Sequence, residues 1–234
     1  MWKALGAWLL GVMGGFAGEV REEIVDHAGS TFRVVRLEPA RVQLVWKGED
    51  GLPLRTFGRV QAHFARQGKT VRFLMNGGIF EPGGIPSGLY LERGNKLQPF
   101  NVRDAAGNFF LKPNGLVGWT GDRAFIATSL SGPVEWAVQS GPMLLISGKR
   151  HPAFTAGSAS RLHRNGVGVD AAGRMVFAIT AAGQTVNFWD FAGLFEKLGC
   201  RDALFLDGDI SQMAVNPSKP VESNSFGSIF VVTE

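Results

Sequence analysis

The sequence predicts an α+β fold: a single domain built on a mixed or antiparallel sheet, with few helices and long surface loops. Most of its 234 residues fall into short apolar or alternating runs that are bounded by glycine and proline, as strands are. Only two segments carry apolar residues at helical spacing, and no fixed-period repeat or linker divides the chain. Many strands with about two helices are typical of one α+β domain.

The amino-terminal half contains one of the two predicted helices. Phe57, Val60 and Phe64 recur at helical spacing, and Gly68 lies where that helix would end. Two alternating runs flank a proline-containing segment and predict two strands around a turn. The predicted strands of this half are Thr31–Leu37, Arg41–Trp46, Val71–Met75, Gly88–Glu92, Asn108–Lys112, Leu116–Trp119 and Arg123–Thr128.

The carboxyl-terminal half contains the second helix. Asn187 can cap it, its apolar residues run from Phe188 to Leu198, and Gly199 stops it. The polar, proline-bearing stretch from Gly148 to Ser160 predicts a long loop. The predicted strands are Val134–Val138, Met143–Ile146, Gly166–Asp170, Arg174–Thr180, Ala203–Asp207 and Ser228–Thr233, of which the third and fourth form a hairpin.

The first residues resemble an export signal. A short positive start is followed by an uncharged run from Ala4 to Phe16, and small residues stand where a signal peptidase would cut. We therefore expect residues 1–17 to be a signal peptide and residues 18–234 to be the domain. The location implied is periplasmic or secreted, with no stable membrane insertion after the signal is removed. The one cysteine, Cys200, allows no intramolecular disulfide.

The charge pattern argues against a nucleic-acid partner. The formal net charge is +4, but lysine and arginine are scattered and form no run of five or six like charges. Proteins that bind nucleic acid concentrate such side chains on one face or helix. No cysteine–histidine cluster has zinc spacing, and neither a nucleophile elbow nor a phosphate-binding Walker loop is present.

The most informative segment is an apolar run that leads into two carboxylates, Asp207 and Asp209, with a hydroxyl at Ser211. If the strand continued through Asp209, both carboxylates would leave the same face. Such a pair suits general acid–base chemistry or the binding of a hard cation, Mg²⁺ or Ca²⁺. An ordinary Asp-Gly turn is the structural alternative.

Three further segments place polar groups after strand-like runs. In the first, Asn76, Gly77 and Gly78 could present backbone amides to anionic oxygens, although Asn-Gly is also turn chemistry. The second supplies two hydrogen-bonding side chains, Gln139 and Ser140. In the third, Arg161 and Arg164 flank His163.

Arginine can hold a phosphate or carboxylate through two hydrogen bonds. For Arg161 we favour a solvated surface position, and for His163 a structural role. These residues indicate no certain cofactor, and Asp207 and Asp209 are the candidate ligands for Mg²⁺ or Ca²⁺ if a metal is used.

The four segments, in this order, resemble the phosphodiester glycosidase family. The matching motifs are NGG-x-F from Asn76 to Phe80, QSGP from Gln139 to Pro142, Arg-x-Gly-x-Gly from Arg164 to Gly168, and LDG-x-x-S from Leu206 to Ser211. The resemblance extends from about Val71 to Ile229. The animal branch, which includes the lysosomal uncovering enzyme, has Asp-Gly-Gly where this chain has Asp207-Gly208-Asp209. This chain is more similar to the short bacterial branch.

The resemblance implies hydrolysis of the bond between a sugar anomeric carbon and a phosphodiester. Such a reaction requires charge neutralisation at the phosphate and a base or nucleophile at the anomeric carbon. We expect Arg164 and the amides around Gly77 and Gly78 to hold the phosphate. Asp207 would be the base or would stabilise the transition state, with Asp209 as its partner or as a metal ligand. The remaining candidates would hydrogen-bond the sugar or phosphate of a phosphorylated glycan: Asn76, Gln139, Ser140 and Ser211.

Two other functions fit the same residues. A metal-dependent phosphodiesterase would use Asp207 and Asp209 to hold the cation and would attack phosphorus. A secreted, non-catalytic module would bind phosphorylated envelope glycans without turnover.

Overall fold

The computed structural model describes residues 19–234, and the predicted signal peptide at residues 1–17 lies outside this range. Two α-helices and two short 3₁₀ turns accompany the strands of the described residues. The helices are α1 (Phe57–Ala65) and α2 (Phe188–Lys197), and the 3₁₀ turns are Pro39–Arg41 and Asn108–Phe110. The strands are β1 (Glu22–His27), β2 (Ser30–Leu37), β3 (Gln43–Val45), β4 (Val71–Asn76), β5 (Phe80–Glu81), β6 (Ile85–Pro86), β7 (Tyr90–Glu92), β8 (Asn95–Gln98), β9 (Gly115–Thr120), β10 (Arg123–Ala127), β11 (Trp136–Ser140), β12 (Met143–Ile146), β13 (Lys149–Arg150), β14 (Asn165–Asp170), β15 (Met175–Thr180), β16 (Cys200–Asp207), β17 (Met213–Val215) and β18 (Ile229–Thr233).

The strands form three larger sheets, and the paired strands are antiparallel. The first has the order β1-β2-β15-β14-β16-β12-β13, the second β10-β9-β11-β7-β8, and the third β17-β4-β18-β3; β5 and β6 form a separate pair. The expected α+β class and antiparallel sheet are therefore confirmed. No helix within residues 19–234 is long and apolar enough to span a membrane.

Strand β16 is buried on both faces, which explains its unbroken apolar sequence. Leu204 and Leu206 point into the core shared with the other two sheets. Ala203 and Phe205 point the other way, into a core closed by α2. Since side chains alternate along a strand, both faces need apolar residues. Most of the strand therefore remains buried, and Asp207 lies at its carboxyl-terminal end.

Helix α2 follows the sequence signals closely. The Asn187 side chain caps it by accepting the Asp190 amide at 2.8 Å. Phe191 and Phe195 are buried on one face against the sheet. Gly199 has φ +83°, the left-handed conformation that glycine adopts easily at a helix end. The helix packs over β16, and this packing buries the apolar face of the helix.

One expected strand is absent, and one edge strand was not predicted. The strand predicted at Asn108–Lys112 is wrong: this stretch holds the 3₁₀ turn Asn108–Phe110, and the Asn114 side chain donates to the Phe109 carbonyl at 2.8 Å. Strands β2 and β3 lie on either side of the 3₁₀ turn Pro39–Arg41, as expected, and belong to different sheets. Strand β1 was missed because its Glu-rich sequence barely alternates; it is an edge strand held by ion pairs to β2.

Candidate active site

The four motif segments meet at one place, although they come from three sheets. Asn76 ends β4, Ser140 ends β11 and Asp207 ends β16, while Arg164 immediately precedes β14. Strands from separate sheets thus deliver their terminal residues to a shared edge. Loops and strand ends on a rigid scaffold are a common place for functional groups.

Two asparagines join these strand ends. The Asn165 side-chain nitrogen donates to the Asn76 Oδ1 at 3.0 Å and to the Asn76 carbonyl at 3.1 Å. In turn, Asn165 Oδ1 accepts the Asp207 amide at 2.8 Å, and Asn76 Oδ1 accepts the Gln212 amide at 2.9 Å. The side-chain oxygen and the backbone carbonyl of Asn76 therefore already accept hydrogen bonds from other parts of the protein. Asn165 was not predicted to be a site residue. The sequence shows it only as a polar residue between Arg164 and Gly166.

The Gly77-Gly78 pair is required by close packing of the chain. A Cβ on Gly77 would lie 2.3 Å from the Ser228 hydroxyl, and one on Gly78 would lie 2.9 Å from the Ser140 Cβ. The Gly77 amide donates to the Ser228 carbonyl at 2.8 Å, so this amide is occupied. The Ser140 hydroxyl donates to the Leu206 carbonyl at 2.9 Å and thereby ties β11 to the end of β16.

The side chain of Gln139 lies apart from the other candidates. Its Oε1 accepts the amides of Leu89 at 3.0 Å and Asn101 at 2.8 Å, and its Nε2 donates to the Asn101 carbonyl at 2.8 Å. Neighbouring residues of a strand point to opposite faces, so Gln139 faces away from Ser140. The structure therefore places Gln139 in a buried connection between Leu89, just before β7, and Asn101, in the loop that follows β8.

Asp207 is a carboxyl group with few partners at the end of β16. Its Oδ1 accepts the Gly208 amide at 2.8 Å. Burial raises the pKa of Asp207 from 3.8 to about 6; the Gly208 hydrogen bond opposes this rise, and the nearby charge of Asp209 adds to it. A carboxyl with a pKa near 6 can exchange a proton close to neutral pH.

Arg164 is a buried cation without an ion-pair partner among the described residues. The residue is 1% exposed, and its guanidinium carbon lies 3.7 Å from the centre of the Phe188 ring. Nε donates to the Val186 carbonyl at 2.9 Å and Nη2 to the Ser160 carbonyl at 3.4 Å, while Nη1 is buried with no hydrogen-bond partner within residues 19–234. Burial lowers the pKa of Arg164 to about 10, and the negative charge of Asp209 opposes this shift.

An unpaired buried guanidinium is costly, because desolvation is not offset by a counter-charge. Its donor atom Nη1 is the strongest indication of an anionic ligand in this part of the molecule. The aromatic rings beside it extend as a stack, with Phe154 5.0 Å from Phe188 and His151 4.8 Å from Phe154. These planar groups hold the guanidinium in one orientation and exclude water from one of its faces.

The second carboxylate lies on a turn. Strand β16 ends at Asp207, and the Ser211 amide closes the following turn by donating to the Gly208 carbonyl at 2.8 Å. Asp207 and Asp209 therefore do not share one face of a continuous strand. Asp209 is exposed, whereas Ser211 is buried and its hydroxyl has no hydrogen-bond partner in the part of the chain that the structure describes. Within residues 19–234, no group of three or more histidine, cysteine, aspartate or glutamate side chains is arranged to hold a metal ion.

The fold and site together define a class: an antiparallel α+β domain in which strand ends from several sheets place a buried guanidinium and two carboxyl groups at one edge. The chain belongs to the phosphodiester glycosidase family, whose model matches residues 69–232. The resemblance carried by the four motifs is thus confirmed.

Known proteins support this assignment. The uncharacterized protein YigE of Escherichia coli K12 is 37% identical over 184 residues, covering 76% of this chain and 71% of YigE. A structure of the zebrafish N-acetylglucosamine-1-phosphodiester alpha-N-acetylglucosaminidase catalytic domain, auto-inhibited by its pro-peptide, matches with a TM-score of 0.65 and 18% identity, covering 92% of this chain and 82% of that one. A putative exported protein from Burkholderia pseudomallei matches with a TM-score of 0.56 and 13% identity, covering 87% of this chain and 74% of that one. At these identities the two structural matches establish a shared fold.

Proposed function

We propose that this protein is a hydrolase that cleaves a sugar 1-phosphodiester at the anomeric carbon. The observation that carries the proposal is the buried guanidinium of Arg164, with its Nη1 unpartnered among the described residues, at the edge where β16 ends in the protonatable Asp207. Membership of the phosphodiester glycosidase family supports it. So does the fold shared with a zebrafish protein that is named for action on an N-acetylglucosamine 1-phosphodiester.

Arg164 binds the phosphodiester anion in this proposal. Its Nη1 supplies a hydrogen bond that no described protein group uses. The guanidinium is desolvated, so its interaction with a phosphate oxygen is stronger than it would be in water. Charge builds up on the phosphate as the sugar bond breaks, and a fixed cation stabilises that charge without reorganisation.

Asp207 acts at the anomeric carbon. A phosphomonoester leaving group has a second pKa of about 6 and needs little protonation to depart. The main demand is therefore for a group that activates water or stabilises an oxocarbenium-like transition state. A carboxylate at the end of a buried strand meets this demand when it is ionised, which its pKa of about 6 allows at neutral pH.

The other candidate residues fall into two groups: those that would contact the ligand, and those that hold the strand ends in place. We assign Asp209 as the charged partner of Asp207, and the unpartnered hydroxyl of Ser211 as a ligand contact. The amide of Gly78 is the phosphate-binding candidate, since that of Gly77 is occupied. Asn76, Gln139 and Ser140 are hydrogen-bonded within the protein, which favours roles in holding the strand ends in place.

We also propose a periplasmic or secreted location. The signal-like residues 1–17 and the fold shared with a putative exported protein support it. Cell fractionation of the full chain and of a chain lacking residues 1–17 tests this: export of the first and retention of the second are expected. Equal retention of both would contradict it.

The activity is tested by product analysis. The protein is incubated with the methyl phosphodiester of N-acetylglucosamine 1-phosphate, with and without a chelator. We expect free sugar and methyl phosphate in both cases. N-acetylglucosamine 1-phosphate with methanol, formed only without chelator, would instead indicate a metal-dependent phosphodiesterase that uses Asp207 and Asp209. Saturable binding of this diester without turnover would favour the non-catalytic glycan-binding module.

A further inference from the structure

The acidic turn, residues Gly208–Ser211, is attached to the rest of the site by few hydrogen bonds. It carries Asp209, which is exposed and whose charge acts on both Arg164 and Asp207. Besides its own closing bond and the bond from the Gly208 amide to Asp207 Oδ1, the turn is held at two points. The Ile210 carbonyl accepts from Asn224 Nδ2 at 3.0 Å, and the Ser211 carbonyl lies 3.0 Å from His163 Nε2. The position of Asp209 therefore depends on contacts made by neighbouring loops.

The hydrogen bonds around His163 define its tautomer. A carbonyl oxygen can only accept, so His163 Nε2 carries the hydrogen that bonds Ser211. The Thr180 hydroxyl oxygen accepts the Arg164 backbone amide at 3.2 Å and lies 2.5 Å from His163 Nδ1. When the hydrogen of the neutral ring is on Nε2, Nδ1 accepts and the Thr180 hydroxyl donates to it. A continuous hydrogen-bonded chain thus runs from the backbone of Arg164 through Thr180 and His163 to Ser211.

We propose that His163 is a positioning residue that holds the acidic turn, and with it Asp209, in place beside the end of β16 that carries Asp207. It immediately precedes Arg164, so one dipeptide supplies both the anion-binding guanidinium and the donor that fixes the turn. Thr180 keeps the imidazole in the tautomer that can donate to Ser211. This inference rests on the proposed function only in assigning Asp209 a part in the reaction.

Side-chain replacements separate positioning from general stability. His163→Gln keeps an amide donor near the position of Nε2, whereas His163→Leu removes it. With the N-acetylglucosamine 1-phosphate methyl diester as substrate, we expect His163→Leu to lower kcat by about ten- to a hundredfold, because a small misplacement of a charged group has effects of that size. The KM should change much less, since Arg164 still binds the phosphate. His163→Gln should restore most of the lost kcat.

A second pair tests the tautomer. Thr180→Val removes the hydroxyl that donates to Nδ1, while Thr180→Ser keeps it. We expect Thr180→Val to lower kcat and Thr180→Ser to retain it. His27→Gln is the matched control: His27 is also a half-buried histidine, but it lies on the edge strand β1, away from the turn. It should leave kcat and KM unchanged.

Nitrogen-15 NMR of the imidazoles gives a readout that does not require turnover. We expect the neutral His163 ring to carry its hydrogen on Nε2 in the wild-type protein, and to become a mixture of tautomers in Thr180→Val. The Asp209 and Ser211 amide signals should shift in His163→Leu and return towards wild type in His163→Gln. If the diester is not turned over but these signals behave as described, the proposed function fails and the positioning role stands. An Nδ1-protonated ring in the wild type, or full kcat in His163→Leu, would overturn the inference.

Discussion

The aspartate and arginine residues at the two ends of strand β14 differ in how completely they are paired by hydrogen bonds and ion pairs. At its far end, buried Asp170 is fully paired: Arg174 donates to its Oδ2 from Nε at 3.0 Å and Nη2 at 2.8 Å, and the Ala172 and Arg174 amides donate to Oδ1 at 3.0 Å each. At its near end, Arg164 has no ion pair among the described residues and Asp207 has one amide donor to its carboxylate. The cluster around Asp170 therefore contains its own counter-charge, Arg174.

We therefore expect the paired cluster around Asp170 to have a structural role, and the charged residues at the other end of β14 to have a functional one. A carboxylate with all its oxygens satisfied stabilises a turn and has nothing left to bind a ligand. Separate buried charges with spare hydrogen-bonding capacity destabilise the free protein and are retained where a substrate uses them. The same residue types should therefore respond in opposite ways to substitution at the two ends of β14.

The largest effect on activity is expected for Asp207→Asn. Removing a general base or charge stabiliser should lower kcat/KM by about a thousandfold, within the range of about 10²–10⁴ for such groups. The folded-state pKa of about 6 lies above the ordinary 3.8, so ionised Asp207 opposes folding increasingly as the pH rises through this window. Thermal denaturation should consequently show the variant to be more stable than wild type at pH values above the window, and no more stable at pH values below it.

Asp170→Asn is the matched control for that substitution. It weakens a satisfied, buried ion pair, so the free energy of unfolding should fall by about 1–3 kcal/mol. Activity per folded molecule should stay close to wild type. A large loss of kcat/KM in Asp170→Asn, or loss of stability in Asp207→Asn at neutral pH, would remove the distinction between the two ends.

Arg164→Met should have the next largest effect. Loss of the charged donor should lower kcat/KM by about a hundredfold or more. An apolar side chain of similar length removes an uncompensated buried charge, so stability should be unchanged or higher. Inorganic phosphate should raise the melting temperature of the wild type and not that of the variant. Equal phosphate stabilisation of both proteins would show that the anion binds elsewhere.

Asp209→Asn should lower kcat by about ten- to a hundredfold, as misplacement of its turn does, and should also change the pH dependence. In the wild type, kcat/KM should rise with pH as Asp207 loses its proton around its pKa of about 6. Since the Asp209 charge raises that pKa, its removal should move the rising limb to lower pH. The shift should be modest, because burial of Asp207 is the larger cause. A pH–rate profile of both proteins provides the measurement, and a limb that stays in place or moves upward would contradict the coupling.

Gln139→Leu should have the smallest effect on activity. The substitution leaves the amides of Leu89 and Asn101 without their acceptor, which should lower the free energy of unfolding by about 2–3 kcal/mol. The KM for the sugar phosphodiester should remain near wild type, because the side chain faces away from Asp207. A large rise in KM with unchanged stability would return Gln139 to the substrate-binding residues.

The sequence predicted the elements whose local signals agree with their packing. Helix α2 has a cap, an apolar stripe and a terminal glycine, and β16 has an apolar run ending at Asp207, so both were predictable. Strand β1 was not, because Glu22 and Glu23 are stabilised by arginines on the neighbouring strand. The sheet assignment of β2 and β3 depends on long-range pairing, to which alternation gives no clue.

The candidate site was predictable as a set of segments, and less so as a set of roles. The motifs indicated four segments, and the structure brings the strand ends of these segments to one edge. The orientation of Gln139 and the use of Asn76 by Asn165 follow from tertiary contacts between sheets. His163 was predicted to be structural, and its connection to Ser211 becomes visible only when both loops are in place.

Hydrolysis in ¹⁸O-labelled water tests the central claim most directly, because it identifies the atom that water attacks. With the methyl phosphodiester of N-acetylglucosamine 1-phosphate, attack at the anomeric carbon leaves the methyl phosphate unlabelled. We predict unlabelled methyl phosphate, formed by the wild type and not by Asp207→Asn. Incorporation of ¹⁸O into the phosphate would place the attack at phosphorus and contradict the account.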